Sequence, residues 1–170
     1  MDITKEMCEG AFVKVRWLGD RAYYSPTTDM VTMPDETRFE SGELAFATAT
    51  HELSHASGAE HRLNRNLASK FDMDSYAFEE LVAELSSVFV CAQAGVSKTN
   101  EQLNAAYLES WSKHFKENPN DLMEKVLPLA LKASAYVIKE CGLEAILDKH
   151  IGEQPQFTQT VTPEVDTPDM

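Results

Sequence analysis

The chain has 170 residues, 43% of them hydrophobic, a length that fits one folded domain around a single core. No stretch approaches the roughly 20 consecutive apolar residues of a membrane-spanning helix. Fifteen basic and 28 acidic residues give a net charge of -13, which disfavours direct binding to the phosphate backbone of nucleic acid. A merely solvated acidic surface explains the same charge.

The cysteine content indicates a reducing compartment. Cys8, Cys91 and Cys141 are far apart in sequence and form no CxxC pair, so neither a disulfide framework nor a zinc knuckle is predicted. The first residues also lack the basic start and apolar core of a secretory signal. We therefore expect a cytoplasmic protein.

The first part of the chain is typical of a small antiparallel sheet. Hydrophobic and charged residues alternate over residues 12–17, and residues 22–25 and 30–33 flank the turn-forming sequence Pro-Thr-Thr-Asp at residues 26–29. We expect three strands, the last two of which form a hairpin.

Helices are predicted for much of the remaining chain. Ser41 is placed to cap a helix that ends at Gly58. Asp74 or Ser75 can cap a second helix, which is expected to run to about residue 94 because Gly95 follows. These two helices carry the residues on which the functional prediction depends.

Three further helical stretches follow, at residues 100–117, 121–140 and 143–150. Pro128 is expected to kink or divide the second of them. From Gly152 onward Gln, Thr, Pro and acidic residues predominate, and such a composition buries too little apolar surface to fold. We expect one domain, residues 1–151, followed by a disordered tail, residues 152–170.

The strongest chemical signal is the string HELSH, which places His51 and His55 four residues apart in the first predicted helix. The helical repeat puts both imidazoles on one face, where they can share one metal ion. Glu52 is then close enough to act on a water molecule at that ion as a general base. An HExxH string occurs by chance on the order of once in a hundred chains of this length, so a third ligand has to support it.

The second predicted helix offers three glutamates as that ligand. Glu80 and Glu84 lie four residues apart on one face, so Glu80 can bind the metal while Glu84 accepts a hydrogen bond from the outer nitrogen of a histidine, expected to be His51. Glu79 points about 100° away around the helix. We expect Glu79 to face solvent or bond to backbone, and it stays the alternative ligand.

Several separated blocks resemble one family. HELSH followed by EELVAEL looks like the gluzincin arrangement of two histidines and a downstream glutamate. The blocks AYYSPTTDMVTMP, HELSHASGAEHRLNR, SYAFEELVAEL and AAYLESWSKHF resemble the zincin-like C-terminal domain of ArdC antirestriction proteins and TraC primases.

The resemblance implies an α+β, zincin-like fold with a small antiparallel sheet, an active-site helix carrying HExxH, a second ligand helix and further C-terminal helices. It also implies one Zn²⁺ per chain and a source on plasmids, phages or other mobile elements. ArdC-type proteins resemble this chain only through their second half. Their N-terminal single-stranded-DNA-binding domain has no counterpart in this sequence, so DNA binding is not carried over.

Two side chains are candidate hydrogen-bond donors to the oxyanion of a peptidase reaction. Tyr76 lies four residues before Glu80, hence on the same helix face, and His61 follows His55 by six residues. A half-buried tyrosine with a bonded hydroxyl and a loop histidine bonded to backbone are the structural alternatives.

Two other groups of residues have expected structural or substrate-binding roles. Residues 30–33 are expected to lie beside the cleft, where an exposed strand edge can pair with an extended substrate. Arg62 and Arg65 are expected to brace their loop through carboxylates or, alternatively, to contact an acidic group of the substrate.

The sequence therefore predicts a zinc metallopeptidase that acts on a protein or peptide, with a host defence factor as one candidate target. The alternative is a non-catalytic, acidic antirestriction or partner-binding protein in which the metal is structural. A nucleic-acid-binding module is a third hypothesis, which the charge disfavours. HExxH together with Glu80 and Glu84 favours the enzyme, because a structural site needs no base beside an open coordination position.

Overall fold

The computed structural model describes residues 1–65, 73–96, 120 and 122–152. Its sheet has three strands, β1 (Lys14–Trp17), β2 (Tyr23–Ser25) and β3 (Met30–Met33), in the spatial order β1-β3-β2. Strands β2 and β3 form the predicted antiparallel hairpin, and Asp29 in its turn has a φ of 46°.

The sheet is mixed rather than wholly antiparallel, because β3 lies between the other two strands and pairs in parallel with β1. The prediction of an antiparallel sheet was wrong on this point. Alternation of hydrophobic and polar side chains identifies a strand but not the strands that pair with it. Residues 18–22 connect β1 to β2 and leave a space between these two strands, which β3 fills. The expectation that β3 offers an exposed edge to a substrate was also wrong, since both of its edges are paired and β2 is an edge strand.

A helix that the sequence analysis missed, α1 (Asp2–Glu9), begins the chain. Its Met1 cap makes no side-chain hydrogen bond, so the helix has little local signal. Thr4, Met7 and Cys8 are buried, and α1 packs against two later helices. Tertiary packing rather than intrinsic propensity therefore stabilises this short helix.

The predicted active-site helix is confirmed as α2 (Gly42–Ser57). Ser41 caps it by accepting a hydrogen bond from the backbone N–H of Leu44 at 3.1 Å, and Gly58 follows its last turn. Helix α3 (Met73–Gln93) packs against α2. It begins one residue before the earlier of the two predicted caps, a difference within the usual uncertainty of helix ends.

The C-terminal part of the described chain contains two more helices. A π-helical turn (Leu122–Val126) leads into α4 (Leu127–Glu140), and α5 (Leu143–Gly152) follows Gly142, which has a φ of 62°. Pro128 lies in the first turn of α4, where its missing N–H costs little, so it marks a division rather than a kink. The predicted helix at 100–117 and the tail beyond Gly152 lie outside the described residues.

The main core lies between the sheet and the helices. It includes the fully buried residues Met7, Val31, Met33, Leu53, Val90, Val137 and Leu143. A smaller cluster joins α3 to α4 through Leu81, Val82, Val126 and Ala130. Among the described residues, no helix has the length and the apolar composition required to cross a bilayer.

Candidate metal centre

The interface between α2 and α3 brings two imidazoles and one carboxylate together. His51 and His55 extend from the C-terminal half of α2, and Glu80 extends from α3. The two Nε2 atoms are 3.2 Å apart, and each is 3.6 Å from one oxygen of Glu80. Candidate ligand atoms of these three residues all lie within 4.8 Å of one another, which is close enough to surround a single ion.

The outer nitrogen of each imidazole faces its own carboxylate on α3. His51 Nδ1 is 2.9 Å from Glu84 Oε2, and His55 Nδ1 is 3.3 Å from Glu79 Oε1. An ionised carboxylate can only accept hydrogen bonds, so these contacts favour a proton on each Nδ1, and a neutral imidazole then keeps its lone pair on Nε2. Two lone pairs that converge at 3.2 Å repel each other unless a proton or a metal ion lies between them. This donor set therefore fits a divalent metal ion.

The electrostatics of the group favour the same conclusion. Burial alone lowers the pKa of His55, but hydrogen bonds to Glu79 and Glu80 outweigh it and raise that pKa to about 10. Burial opposes protonation of His51 in the same way, and Glu80 and Glu84 still raise its pKa. Burial raises the pKa of Glu80, yet hydrogen bonds from the two histidines lower it overall. The carboxylates thus create a strongly cation-attracting site.

Glu79 is buried and bonded, and the expectation that it faces solvent or backbone was wrong. Its two oxygens accept hydrogen bonds from Arg65 Nε at 3.0 Å and Nη2 at 2.8 Å, in addition to the contact with His55. The side chains of Glu79 and Arg65 are only 7% and 4% exposed. A bidentate guanidinium offsets much of the cost of burying the carboxylate. Arg65 braces its loop, as one of the two expected alternatives had it.

Glu52, the candidate general base, connects α2 to the sheet. Its Oε2 accepts a hydrogen bond from the backbone N–H of Tyr24 at 2.8 Å, and the residue is 8% exposed. Tyr24 lies at the centre of the edge strand β2. The base candidate is therefore held at a strand edge, although the preceding residue, His51, faces α3.

The two candidate oxyanion donors are in different places. The side chain of Tyr76, which is half-buried, bonds to Glu80 and helps to lower the pKa of that carboxyl. His61 is 62% exposed, and its Nε2 lies 3.3 Å from Asp29 Oδ2 in the β2–β3 turn. The structure thus places Tyr76 at the candidate metal centre and pairs His61 with the hairpin instead.

A cluster around Asp29 fastens the hairpin to the loop after α2. The Asp29 carboxylate accepts hydrogen bonds from the Tyr24 hydroxyl at 2.8 Å and from Arg62 at 2.8 and 2.7 Å. Arg62 also donates to the carbonyl of Ala56 at 2.9 Å. Arg62 therefore braces its loop, which keeps Tyr24 beside Glu52.

Comparison with protein families and curated proteins identifies relatives. A family model described as zincin-like metallopeptidase matches residues 3–125. The chain is 40% identical over 120 residues to DNA primase TraC of Escherichia coli, covering 71% of this chain and 8% of TraC. It is 38% identical over 108 residues to an uncharacterized protein of Sinorhizobium fredii, covering 64% of this chain and 35% of that protein.

Solved structures of the antirestriction protein ArdC from plasmid R388 are also similar. The Mn(II)-bound form has a TM-score of 0.63 at 31% identity and covers 90% of this chain and 53% of ArdC. The metal-free form has a TM-score of 0.59 at 31% identity, covering 86% and 50%. The chain thus spans about half of ArdC and a smaller part of the curated relatives. The Mn(II)-bound relative and the His-His-Glu group together support a divalent metal ion.

Proposed function

This chain belongs to the zincin-like metallopeptidase family, and from that premise we propose that it is a zinc-dependent metallopeptidase. His51, His55 and Glu80 are the proposed ligands of one Zn²⁺ per chain. The observation that carries the proposal is the convergence of both Nε2 atoms and the Glu80 carboxylate at distances of 3.2 and 3.6 Å. Glu84 supports the set by fixing the tautomer of His51.

A zinc ion held by these three residues would supply Lewis acidity, which would lower the pKa of a water molecule and polarise a substrate carbonyl. Glu52 is the proposed general base. The N–H of Tyr24 occupies its Oε2, so Oε1 is the atom proposed to take the proton from the attacking water and to return it to the leaving amine. The fixed Oε2 limits the freedom of the carboxylate, which favours a single reactive geometry.

Tyr76 is the proposed donor to the oxyanion, with His61 as the rival. The bond from Tyr76 to Glu80 supports this choice, because it holds the tyrosine at the proposed metal centre. Both candidates already bond to a carboxylate, Tyr76 to Glu80 and His61 to Asp29 at 3.3 Å, but only the partner of Tyr76 is a proposed metal ligand. A donor already held beside the reacting group needs less reorganisation in the transition state.

The proposed substrate is a protein or peptide in an extended conformation. Strand β2 is an edge of the described sheet, and the N–H of its Tyr24 is bonded to Glu52, so a peptide that lies along this edge without using that N–H would pass the proposed base. The relatives named ArdC and TraC support a role of the chain on a mobile element and in countering host defence. A cytoplasmic target fits that role. The charge of -13 supports a protein partner rather than nucleic acid.

Comparison of the wild type with Glu52→Gln tests the enzymatic proposal. The zinc-loaded wild type is expected to cleave a protein substrate found by a degradation screen of host proteins, and Glu52→Gln is expected to lose about 10²- to 10⁴-fold in rate while keeping its zinc. Glu60→Gln, an exposed change just after α2, is the matched control and should cleave like the wild type. Equal cleavage by the wild type and Glu52→Gln would contradict the proposal.

A non-catalytic antirestriction or partner-binding role is the second candidate, supported by the acidic charge and by the antirestriction name of ArdC. The two candidate functions predict different effects of the same substitution. Under this alternative Glu52→Gln keeps full antirestriction activity in cells, whereas charge reversal on the acidic surface removes it. Under the enzymatic proposal Glu52→Gln alone removes the activity.

A further inference from the structure

Arg65 lies directly behind His55, on the far side of Glu79. Its guanidinium donates two hydrogen bonds to the Glu79 carboxylate, from Nε to Oε2 at 3.0 Å and from Nη2 to Oε1 at 2.8 Å. Oε1 is also the atom that faces His55 Nδ1, at 3.3 Å. One carboxylate oxygen thus links a fixed cation to a proposed metal ligand.

The guanidinium itself has little freedom to move. Nη1 donates to Ser57 Oγ at 2.9 Å, and Nη2 donates to the carbonyl of Ser54 at 2.6 Å, near the C-terminal end of α2. The loop that carries Arg65 returns to the same helix end, where the N–H of Arg65 donates to the carbonyl of Gly58 at 2.9 Å. A cation is favoured at this end because the last carbonyls of a helix lack helical partners.

The fold presents two adjacent carboxylates, Glu79 and Glu80, to the same histidine. His55 contacts Glu79 through Nδ1 and Glu80 through Nε2. A carboxylate without a fixed partner can rotate, so a loose Glu79 would compete with Glu80 for the ion or leave His55 Nδ1 without an acceptor. The two hydrogen bonds from Arg65 prevent both outcomes, since they fix the plane and direction of the Glu79 carboxylate.

We propose that Arg65 is a positioning residue, which locks Glu79 behind His55 and thereby keeps Glu80 as the carboxylate ligand of the metal. The inference rests on the proposed metal site, but it concerns the selection of ligands rather than peptide cleavage. It assigns Glu79 the role of orienting His55, with the Nδ1–H tautomer that leaves Nε2 available to the ion.

Arg62 provides a matched control from the same loop. Its side chain is also largely buried, with 6% exposed, and it has a bidentate carboxylate partner, Asp29, at hydrogen-bond distances of 2.8 and 2.7 Å. Its partner lies in the hairpin turn rather than behind a proposed ligand. Replacement of either arginine by lysine therefore removes a bidentate hydrogen bond to a carboxylate. Only the replacement of Arg65 is expected to change metal binding.

The test uses Co²⁺ as the probe, because a two-histidine, one-carboxylate site also accepts cobalt and the visible spectrum of Co²⁺ reports the ligand geometry. Affinity and spectrum are measured on wild type, Arg65→Lys, Arg62→Lys and the double variant Arg65→Met/Glu79→Met, with folding checked by circular dichroism. The double variant removes both buried charges, so it is expected to fold even where Arg65→Lys does not.

Arg65→Lys and the double variant are expected to bind Co²⁺ about 10- to 100-fold more weakly and to show an altered spectrum, while Arg62→Lys keeps the wild-type spectrum. Wild-type affinity and spectrum in the folded double variant would overturn the inference, as would equal changes in Arg62→Lys and Arg65→Lys. Failure of the wild type itself to bind Co²⁺ or Zn²⁺ would overturn the metal site. Metal binding without cleavage would overturn only the peptidase proposal.

Discussion

The two faces of α2 are built from different chemistry. One face carries Phe46, Ala49, Leu53 and Ala56, which pack into the main core against the sheet. The other face meets α3 through hydroxyls and ionisable groups, including Thr50, Ser54, His51 and His55. The apolar face stabilises the fold without any ligand. The polar face is stable only when each buried group has a partner, so it specifies one arrangement of the two helices.

The largest expected loss of stability comes from removing a side chain on the apolar face of α2. Leu53 is fully buried, and Leu53→Ala is expected to lower the free energy of unfolding by about 2–5 kcal/mol, because it loses buried surface and leaves a cavity. Chemical denaturation measures the loss. The folded variant should still bind one metal ion with nearly wild-type affinity, and a loss below about 1 kcal/mol would show that this face is not part of a tightly packed core.

Metal binding is expected to stabilise the polar face. Zinc at a free concentration of about 100 times its dissociation constant should raise the free energy of unfolding by about 2.7 kcal/mol, provided that only the folded chain binds it. Chelation should reverse the gain. His51→Ala is expected to abolish the zinc-dependent part of the stability.

His150→Ala is the control for that experiment, since His150 lies near Glu6 on α1 and outside the proposed site. This variant should keep the full zinc-dependent gain. A zinc effect of the same size in His51→Ala and in wild type would place the stabilising ion elsewhere in the protein.

The smallest expected loss of stability comes from removing a single hydroxyl on the polar face of α2. Ser54 Oγ contacts Ser86 Oγ at 2.8 Å and donates to the carbonyl of Thr50 at 2.7 Å, so Ser54→Ala is expected to cost about 1 kcal/mol of unfolding free energy. Thr48→Ala is a milder comparison, because Thr48 bonds only within its own helix among the described contacts. Equal losses in the two variants would argue against a role of the α2–α3 hydrogen bonds.

Signals close together in sequence predicted much of the fold. The hairpin, α2 and the division at Pro128 follow from turn residues, from the Ser41 cap and from the fixed backbone of proline. Helix α1 and the parallel pairing of β1 with β3 did not follow, because both depend on contacts with distant parts of the chain.

The same division applies to the candidate site. Helical periodicity put His51 and His55 on one helix face and Glu80 and Glu84 on another, since each pair is four residues apart, and the need for a third metal ligand then linked Glu80 to the histidines. The position of Glu79 depends on Arg65, which lies 14 residues earlier in the chain and directly follows Asn64, a residue with a φ of 49°. The only sign of this ion pair in the sequence was a loop arginine, Arg65, some distance before an acidic residue, Glu79. Such a combination is common and does not by itself identify an ion pair.

X-ray absorption at the zinc edge, on zinc-loaded wild type and on Glu80→Gln, tests the central claim most directly. The predicted result is one zinc per wild-type chain with two imidazole nitrogens at about 2.0–2.1 Å, oxygen for the remaining ligands, and an altered oxygen shell with weaker binding in Glu80→Gln. A sulfur shell, fewer than two imidazoles, or identical spectra and affinities for the two proteins would contradict it.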